Sequence, residues 1–460
     1  MFRCRPILLG SAAAFSLFAA GCGYQYRPVV SAINPVGPAT QPTKYALAIS
    51  APSTTAPGLL TFVDFAGDSV LSTPQVLANP VYLALAPGGG TGYAINSAGS
   101  FNDFPAGSPE TLISSQVGQS TLSAGSQPVS ITSVTMAGTN ASVFVPEPAL
   151  SQVAALTATG SLDQNVGIPN NPIYVVGASA GRRAYVISQG DGVTPSTVSS
   201  LEAGNLAVSA TIGVGIDPTY GVMTADGNRA FILNKGSGTV NVLNVVNNGP
   251  DTATPLIPAT GTLGVGPVWA DLSPLTNQLV VLNQGDGTHP GSLSIINIPL
   301  CNLASPAGNP TCNPANPVDA VGFGQVLATV PVGINPVMVS ALQDGTKAYV
   351  ANQGVLCAPG ATNCTNVEGS VSVVNLVSGL VTATIPATSL ASATADTNTT
   401  PGAAYGHPTT IAATTGTPTG KVYVTSSDNK FMTVIETDTD TVVTHVNLQG
   451  LGVRVVVTAQ

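Results

Sequence analysis

The chain has 460 residues, only 7% of them charged, and its 12 basic residues are outnumbered by 21 acidic ones, giving a formal net charge of -9. Soluble domains carry roughly 25% charged residues, so Ser, Thr, Asn, Gln and Gly must cover most of the solvated surface. The basic footprint that nucleic acid demands is missing, which excludes DNA and RNA as expected partners.

At the start of the chain, Arg3 and Arg5 are followed by an apolar stretch of 14 residues, Ile7 to Ala20, and Ala19-Ala20-Gly21 sets small residues directly before Cys22. The stretch is shorter than the roughly 18 residues of a membrane-spanning helix. These residues resemble a bacterial lipoprotein signal, although Ala19 stands where such signals commonly carry Leu. The resemblance implies cleavage before Cys22 and lipidation of that cysteine; the alternative is an ordinary cleaved export signal with an incidental cysteine. Residues 22–43, with Pro28, Pro35, Pro38 and Pro42 among small and polar residues, read as an extended tether. A single domain is expected over 44–460.

Within that domain a proline repeatedly opens a short apolar run, a polar turn follows, and a second run comes after it. The openings are Pro80, Pro128, Pro172, Pro218, Pro267, Pro336 and Pro408, spaced 48, 44, 46, 49, 69 and 72 residues apart. A period in the forties built of four short strands is the pattern of a β-propeller. The clearest unit predicts strand A over Val337 to Ala341, B over Lys347 to Asn352, C over Ser370 to Asn375 and D over Leu380 to Ile385. Each is rich in Val, Ile, Thr and Tyr and bounded by Gly, Pro, Asn or Asp. No helix of ten residues or more is expected. Lys44 to Ile49, Leu59 to Phe65 and Val70 to Leu77 read as B, C and D with no A before them, and Gly452 to Thr458 reads as an A with nothing after it. Joined, they complete a sheet and remove two exposed edges. The fold class expected is therefore all-β, a propeller of eight four-stranded antiparallel blades, with seven following if an early unit is misread.

The second strands carry Arg183-Ala184-Tyr185-Val186, Arg229-Ala230-Phe231-Ile232, Lys347-Ala348-Tyr349-Val350-Ala351-Asn352 and Lys421-Val422-Tyr423-Val424-Thr425. The third strands carry Gly238-Thr239-Val240-Asn241-Val242 and Gly369-Ser370-Val371-Ser372-Val373. These resemble the YVTN family of propeller repeats of bacterial and archaeal envelope proteins. The resemblance implies the fold and an extracytoplasmic setting, and it implies no catalytic residues.

Four cysteines remain after Cys4 and Cys22 are set aside: Cys301, Cys312, Cys357 and Cys364, all in insertions. They permit three pairings. Local bridges from Cys301 to Cys312 and from Cys357 to Cys364 are the simplest in an oxidising compartment. Zinc is the competing idea, and neither loop holds a histidine.

Because strands alternate direction, B–C and D–A loops share one face of a propeller and A–B and C–D loops the other. The insertions Ser97 to Glu110, Gly190 to Ser196, Gln284 to Gly291, Gly354 to Glu368 and Thr388 to His407 fall on the first face, and Pro299 to Gly324 on the second. The first face is the expected binding surface. On it Phe101, Asp103 and Phe104 read as exposed ligand contacts, the other reading being two rings folded under their own loop. Asp191 and Asp286 sit in recurring Gln-Gly-Asp-Gly turns, too few oxygens for calcium. Gly177-Ala178-Ser179-Ala180-Gly181 has the spacing of a nucleophile elbow but is followed by a strand, so it reads as a turn. Trp269 is expected between sheets.

No catalytic, metal or cofactor residue is expected. The favoured function is an exported, lipid-anchored, non-catalytic binding or scaffold protein of the cell envelope. Its partners would be the membrane through Cys22 and a carbohydrate or an envelope protein, the ring itself being monomeric. The alternative is a propeller-type lactonase or hydrolase with an axial site, which would need Asp271, Asp217 and His407 to converge.

Overall fold

The computed structural model describes residues 44–458 apart from 137, 180, 259–261, 274–276, 300–321, 359–363, 389–401 and 415–418. The export signal, Cys22, the tether, Cys301 and Cys312 lie outside the described residues.

Eight antiparallel sheets form the ring, each with its strands in the order A, B, C, D. Numbered from the sheet that holds Tyr45, blade 4 is Pro172–Val176, Arg183–Ser188, Pro195–Glu202 and Val208–Ile216, and blade 7 is Pro336–Ala341, Lys347–Asn352, Ser370–Asn375 and Leu380–Thr388. Helical structure among the described residues is confined to short 3-10 turns such as Pro109–Thr111. Six of the seven repeat prolines (Pro80, Pro172, Pro218, Pro267, Pro336 and Pro408) are the first residue of an A strand. Proline costs no ladder bond there, because it lacks the N–H that a strand interior would need.

Pro128 is the exception. Strand A of blade 3 pairs only over Thr132–Ser133. Its hydroxyls turn instead to the next blade, Ser130 Oγ donating to the Ile173 carbonyl at 2.8 Å and Thr132 Oγ1 to the Val175 carbonyl at 2.7 Å.

The two ends of the ring meet in blade 1. Leu451–Val457 pairs antiparallel with Tyr45–Ala51, with Ala46 opposite Val457 and Ile49 opposite Arg454. The Tyr45 N–H donates to Thr458 Oγ1 at 2.9 Å. This closure raises the blade count to eight and covers the Tyr45–Ala51 edge of blade 1.

B and C strands read as nearly continuous apolar runs because neighbouring blades cover both faces. Val280, Leu282, Leu293 and Ile295 of blade 6 share one core with Val339, Ala348, Val350 and Val374 of blade 7. The repeat's Lys/Arg-x-Tyr residues fasten blades 4, 7 and 8 to the C–D turn of the next. Lys347 Nζ donates to both Asp440 oxygens at 2.9 and 2.8 Å, and Tyr349 donates to Asp440 at 2.6 Å. Lys421 Nζ reaches Asp68 at 2.7 Å, and Arg183 Nη1 donates to the Val245 carbonyl at 2.6 Å.

The Asn that ends a B strand makes a second joint. Buried Asn352 accepts from the Gly333 N–H, in the incoming D strand of blade 6, at 3.1 Å. It donates to Ser370 Oγ at 3.1 Å and Ser372 Oγ at 2.9 Å. Asn234 takes the Gly215 N–H at 3.0 Å in the same way. Glycine is required at both places: a Cβ on Gly333 would lie 2.6 Å from Asn352 Cγ, and one on Gly215 would lie 2.7 Å from Asn234 Cγ.

Candidate functional site at the ring axis

The A strands position the site. The chain enters several of them through a residue with positive φ immediately before the proline: Asn79 (52°), Asn171 (64°), Asp217 (49°), Gly266 (68°) and Asn335 (50°). A register shift follows between the proline and the second residue after it in blades 2, 4, 5, 6, 7 and 8. A bulge of this kind re-aims a side chain and sharpens the local twist. The side chains so placed are Tyr82, Tyr174, Tyr220, Trp269, Met338 and Thr410, and all but Thr410 line one cavity of about 550 Å³.

Its inner wall is a stack. Tyr174 lies against Tyr220 with ring centroids 4.7 Å apart, and Tyr220 stacks on Trp269 at 4.0 Å and 16°. Arg454, from the C-terminal strand that closes blade 1, places its Cζ 5.3 Å from the Trp269 centroid and 4.0 Å from the Tyr82 centroid. A guanidinium between two aromatic faces gains cation–π attraction, about 0.5–2 kcal/mol per face depending on hydration. Burial pushes the Tyr82 and Tyr220 phenols well above the ordinary range, so both are neutral donors at physiological pH.

Two residues beyond Trp269, Asp271 lines the same cavity. Its Oδ1 accepts from the Leu272 N–H at 2.8 Å and its Oδ2 from the Ala341 N–H at 2.9 Å. Burial nevertheless raises its carboxyl to about 6, because desolvation outweighs the two backbone donors. Gly88 and Gly89, Gln343 and Thr458, all beyond the ends of A strands, complete the wall on the A–B side. The sequence pointed instead to the B–C and D–A face.

That other face carries a belt of paired side chains. Asn171 donates to Gln189 at 3.3 Å and Gln189 to Asp217 at 2.7 Å. Lys235 donates to Gln284 at 2.8 Å, Gln284 to Asn335 at 2.7 Å and Asn335 to Gln353 at 2.9 Å. Asp217 is thus part of the belt, and His407 pairs through Nδ1 with Asp428 at 2.7 Å. Neither lines the cavity that Asp271 lines.

The loop placement of three expected ligand contacts is corrected. Phe101, Asp103 and Phe104 stand on strand C of blade 2, Ser100–Pro105, and not on a loop. Phe101 stacks on Tyr93 at 5.6 Å, Phe104 packs edge-on against Phe62 at 6.2 Å, and both rings are buried. Asp103 is half-buried, which raises its carboxyl. The insertion follows this strand, so it belongs to a C–D connection on the opposite face.

Asp191 and Asp286 are exposed and hold their own turns. Asp191 Oδ1 accepts from the Val193 and Thr194 N–H groups at 3.0 and 2.8 Å, and Asp286 Oδ1 from those of Thr288 and His289 at 2.8 and 2.9 Å. These bonds lower both carboxyls. A disulfide joins Cys357 and Cys364 in the B–C loop of blade 7. Gly181 N–H closes on the Ala178 carbonyl at 2.8 Å, the turn expected around Ser179. Trp269 packs against the cores between blades 6 and 7 and between blades 7 and 8, as expected, and also lines the axial cavity.

The sequence reading missed Arg454 and the three tyrosines. One signal was available: the second residue after the repeat proline is large in five of the seven units, Tyr82, Tyr174, Tyr220, Trp269 and Met338. Among the described residues no group of three His, Cys, Asp or Glu side chains could hold a metal ion.

No protein-family model and no curated protein matches the chain. Among solved structures it is similar to Citrobacter koseri AztD, at 13% identity over 90% of this chain and 98% of that one, with a TM-score of 0.55. It is also similar to the dihydro-heme d1 dehydrogenase NirN in complex with DHE, at 11% identity over 90% and 76% of the two chains, with a TM-score of 0.58. At these identities the likeness is one of fold: the chain shares their propeller ring.

Proposed function

We propose that this chain is an exported, lipid-anchored propeller of the YVTN type that acts in the cell envelope as a non-catalytic binding protein, with its ligand in the axial cavity. The observation that carries the reading is the cavity itself, about 550 Å³ walled by Tyr174, Tyr220, Trp269 and Arg454. That volume is in the range of small-molecule sites, and the wall sets aromatic faces beside polar groups, Arg454 and Asp271 among them, that can fix a ligand's orientation. Asp271 is the one carboxylate among the described residues of the wall, and no histidine stands beside it there. A lone acid held by two backbone donors suits orienting a ligand better than acid–base hydrolysis. Export and anchoring are supported by Arg3, Arg5, the Ile7 to Ala20 stretch and Cys22. The ligand class we favour is a carbohydrate or another small envelope component.

The full-length protein is screened for binding of envelope glycans and peptidoglycan fragments beside a Tyr220→Leu, Trp269→Leu double variant whose β content is checked by circular dichroism. Binding lost in the variant supports the axial site; binding that survives unchanged rejects it. A palmitate analogue tests the anchor: label on the parent and none on Cys22→Ser is expected, and label on both refutes lipidation at Cys22.

A further inference from the structure

Four buried or partly buried bases elsewhere in the ring have an acid beside them, whereas Lys235 donates to the Gln284 amide. Arg183 pairs with Glu202 at 2.5 Å, Arg229 with Asp251 at 3.2 Å, Lys347 with Asp440 at 2.8 Å and Lys421 with Asp68 at 2.7 Å. Arg454 is also partly buried, yet it forms no ion pair among the described residues, and its Nε is sealed from water without a hydrogen-bond partner. The carboxylate that shares its cavity is not in contact with it: both oxygens of Asp271 face backbone donors, Leu272 and Ala341. A desolvated cation without an anion is costly unless something outside the chain completes it.

We propose that the axial cavity takes a small, singly charged carboxylic acid, and that Arg454 holds its carboxylate while the Trp269, Tyr220 and Tyr174 rings pack on its apolar or ring-shaped body. The proposal rests on the reading of the cavity as a binding site. Arginine suits the role because its planar fork matches a carboxylate with two parallel hydrogen bonds. Stacking between Tyr82 and Trp269 fixes the plane of that fork before a ligand arrives, so little is lost in ordering it. Asp271 in the same wall selects against a doubly charged group such as a phosphate monoester, through like-charge repulsion.

Trp269 is the chain's only tryptophan and lies in this wall, so its emission reports directly on occupancy. The full-length protein is titrated with benzoate, phenylacetate and glucuronate, each beside its neutral amide, with emission excited selectively from Trp269. At least one acid is expected to bind about tenfold or more tightly than its amide, the scale of a charge-assisted pair. Arg454→Met is expected to abolish that preference. Arg454→Lys, which keeps the cation over the rings and guards against misfolding, should weaken acid binding several-fold and leave amide binding unchanged. Equal binding of acid and amide overturns the proposal, as does acid binding indifferent to both variants, which would leave Arg454 a packing residue. If only neutral glycans move the emission, the carboxylate proposal falls and the axial-site reading stands. Silence toward all the acids, with glycan binding untouched by the double leucine variant, removes both.

Discussion

Replacing Asn352 by Ala tests whether the Asn that ends a B strand in blades 2, 5, 6 and 7 can be a joint between blades. The substitution deletes three hydrogen bonds: the one accepted from the Gly333 N–H and those donated to Ser370 and Ser372. A net bond contributes about 1 kcal/mol, and a donor left without a partner costs about 1–3 kcal/mol. Gly333 is only partly buried, so water recovers some of that loss. With a small cavity added at a fully buried position, the sum is about 3 kcal/mol. Asn283 provides an internal comparison. It ends the equivalent strand of blade 6, but its Oδ1 has no partner, and the Gly264 N–H goes instead to Ser294 Oγ at 3.3 Å. Asn283→Ala loses the bonds donated to Ser292 and Ser294 and leaves a small cavity but strands no backbone donor, so a smaller loss of about 2 kcal/mol is expected. Equilibrium unfolding in urea of the parent and both variants, compared at a common slope, gives the two differences. Equal losses, or a smaller loss for Asn352→Ala, would show that the Asn-to-glycine bond does not join the blades.

Three further outcomes follow from the same geometry. Phe104→Ala should lower stability by about 3–5 kcal/mol, because it empties a buried site against Phe62, while leaving ligand binding intact; a stable variant with lost binding would restore the exposed-loop reading. Asp271 has a folded carboxyl raised to about 6, above its unfolded value of about 3.9. Stability is therefore fullest below pH about 4, falls as pH rises to about 6 and is flat beyond; the full shift corresponds to about 3 kcal/mol, reduced to about 1–2 by water in the cavity. Asp271→Asn should erase that slope in melting temperature against pH, and a parallel pair of curves would refute the assignment. Ending the chain at Gly450 removes strand A of blade 1 and bares the Tyr45–Ala51 edge, so aggregation or loss of cooperative unfolding is expected on size exclusion and calorimetry. A monomeric ring that melts like the parent would show that closure is dispensable.

Much of the fold was legible because every unit repeats the same local rules. Lys347–Asn352 and Ser370–Asn375 begin and end where their β-branched runs and flanking turn residues say. The pairing of the two chain ends could be read as well, since an A strand without followers and a B–C–D set without a leader have one economical solution. Blade 2 was misread for a physical reason. Asn102 and Asp103 interrupt the apolar pattern like loop residues, yet Asn102 is buried and takes over bonds between neighbouring segments. Its Oδ1 accepts from the Leu77 N–H at 3.2 Å and its Nδ2 donates to the Gly118 carbonyl at 2.9 Å. The B–C turn is the short Ser97–Gly99 segment, made possible by Gly99 at φ 82°. The axial site was hidden because its lining residues come from all eight blades, and Arg454 reaches Tyr82 and Trp269 only after the ring has closed.

The scarcity of charge makes its placement informative. In a chain with 7% charged residues, four of the ring's buried or partly buried bases have an acid beside them, and Arg454 forms no ion pair among the described residues. Lys347, Lys421 and Arg183 each tie one blade to the next, and their removal is a matter of stability. Among the described residues Arg454 ties nothing by an ion pair; it stands on the closing strand with its guanidinium between two aromatic rings at the wall of the axial cavity. A purely structural role for that position would be served as well by an apolar side chain, which would avoid desolvating a cation. The same strand that seals the ring therefore carries the group that gives the axis a positive charge, and a site formed in this way exists only in the closed propeller.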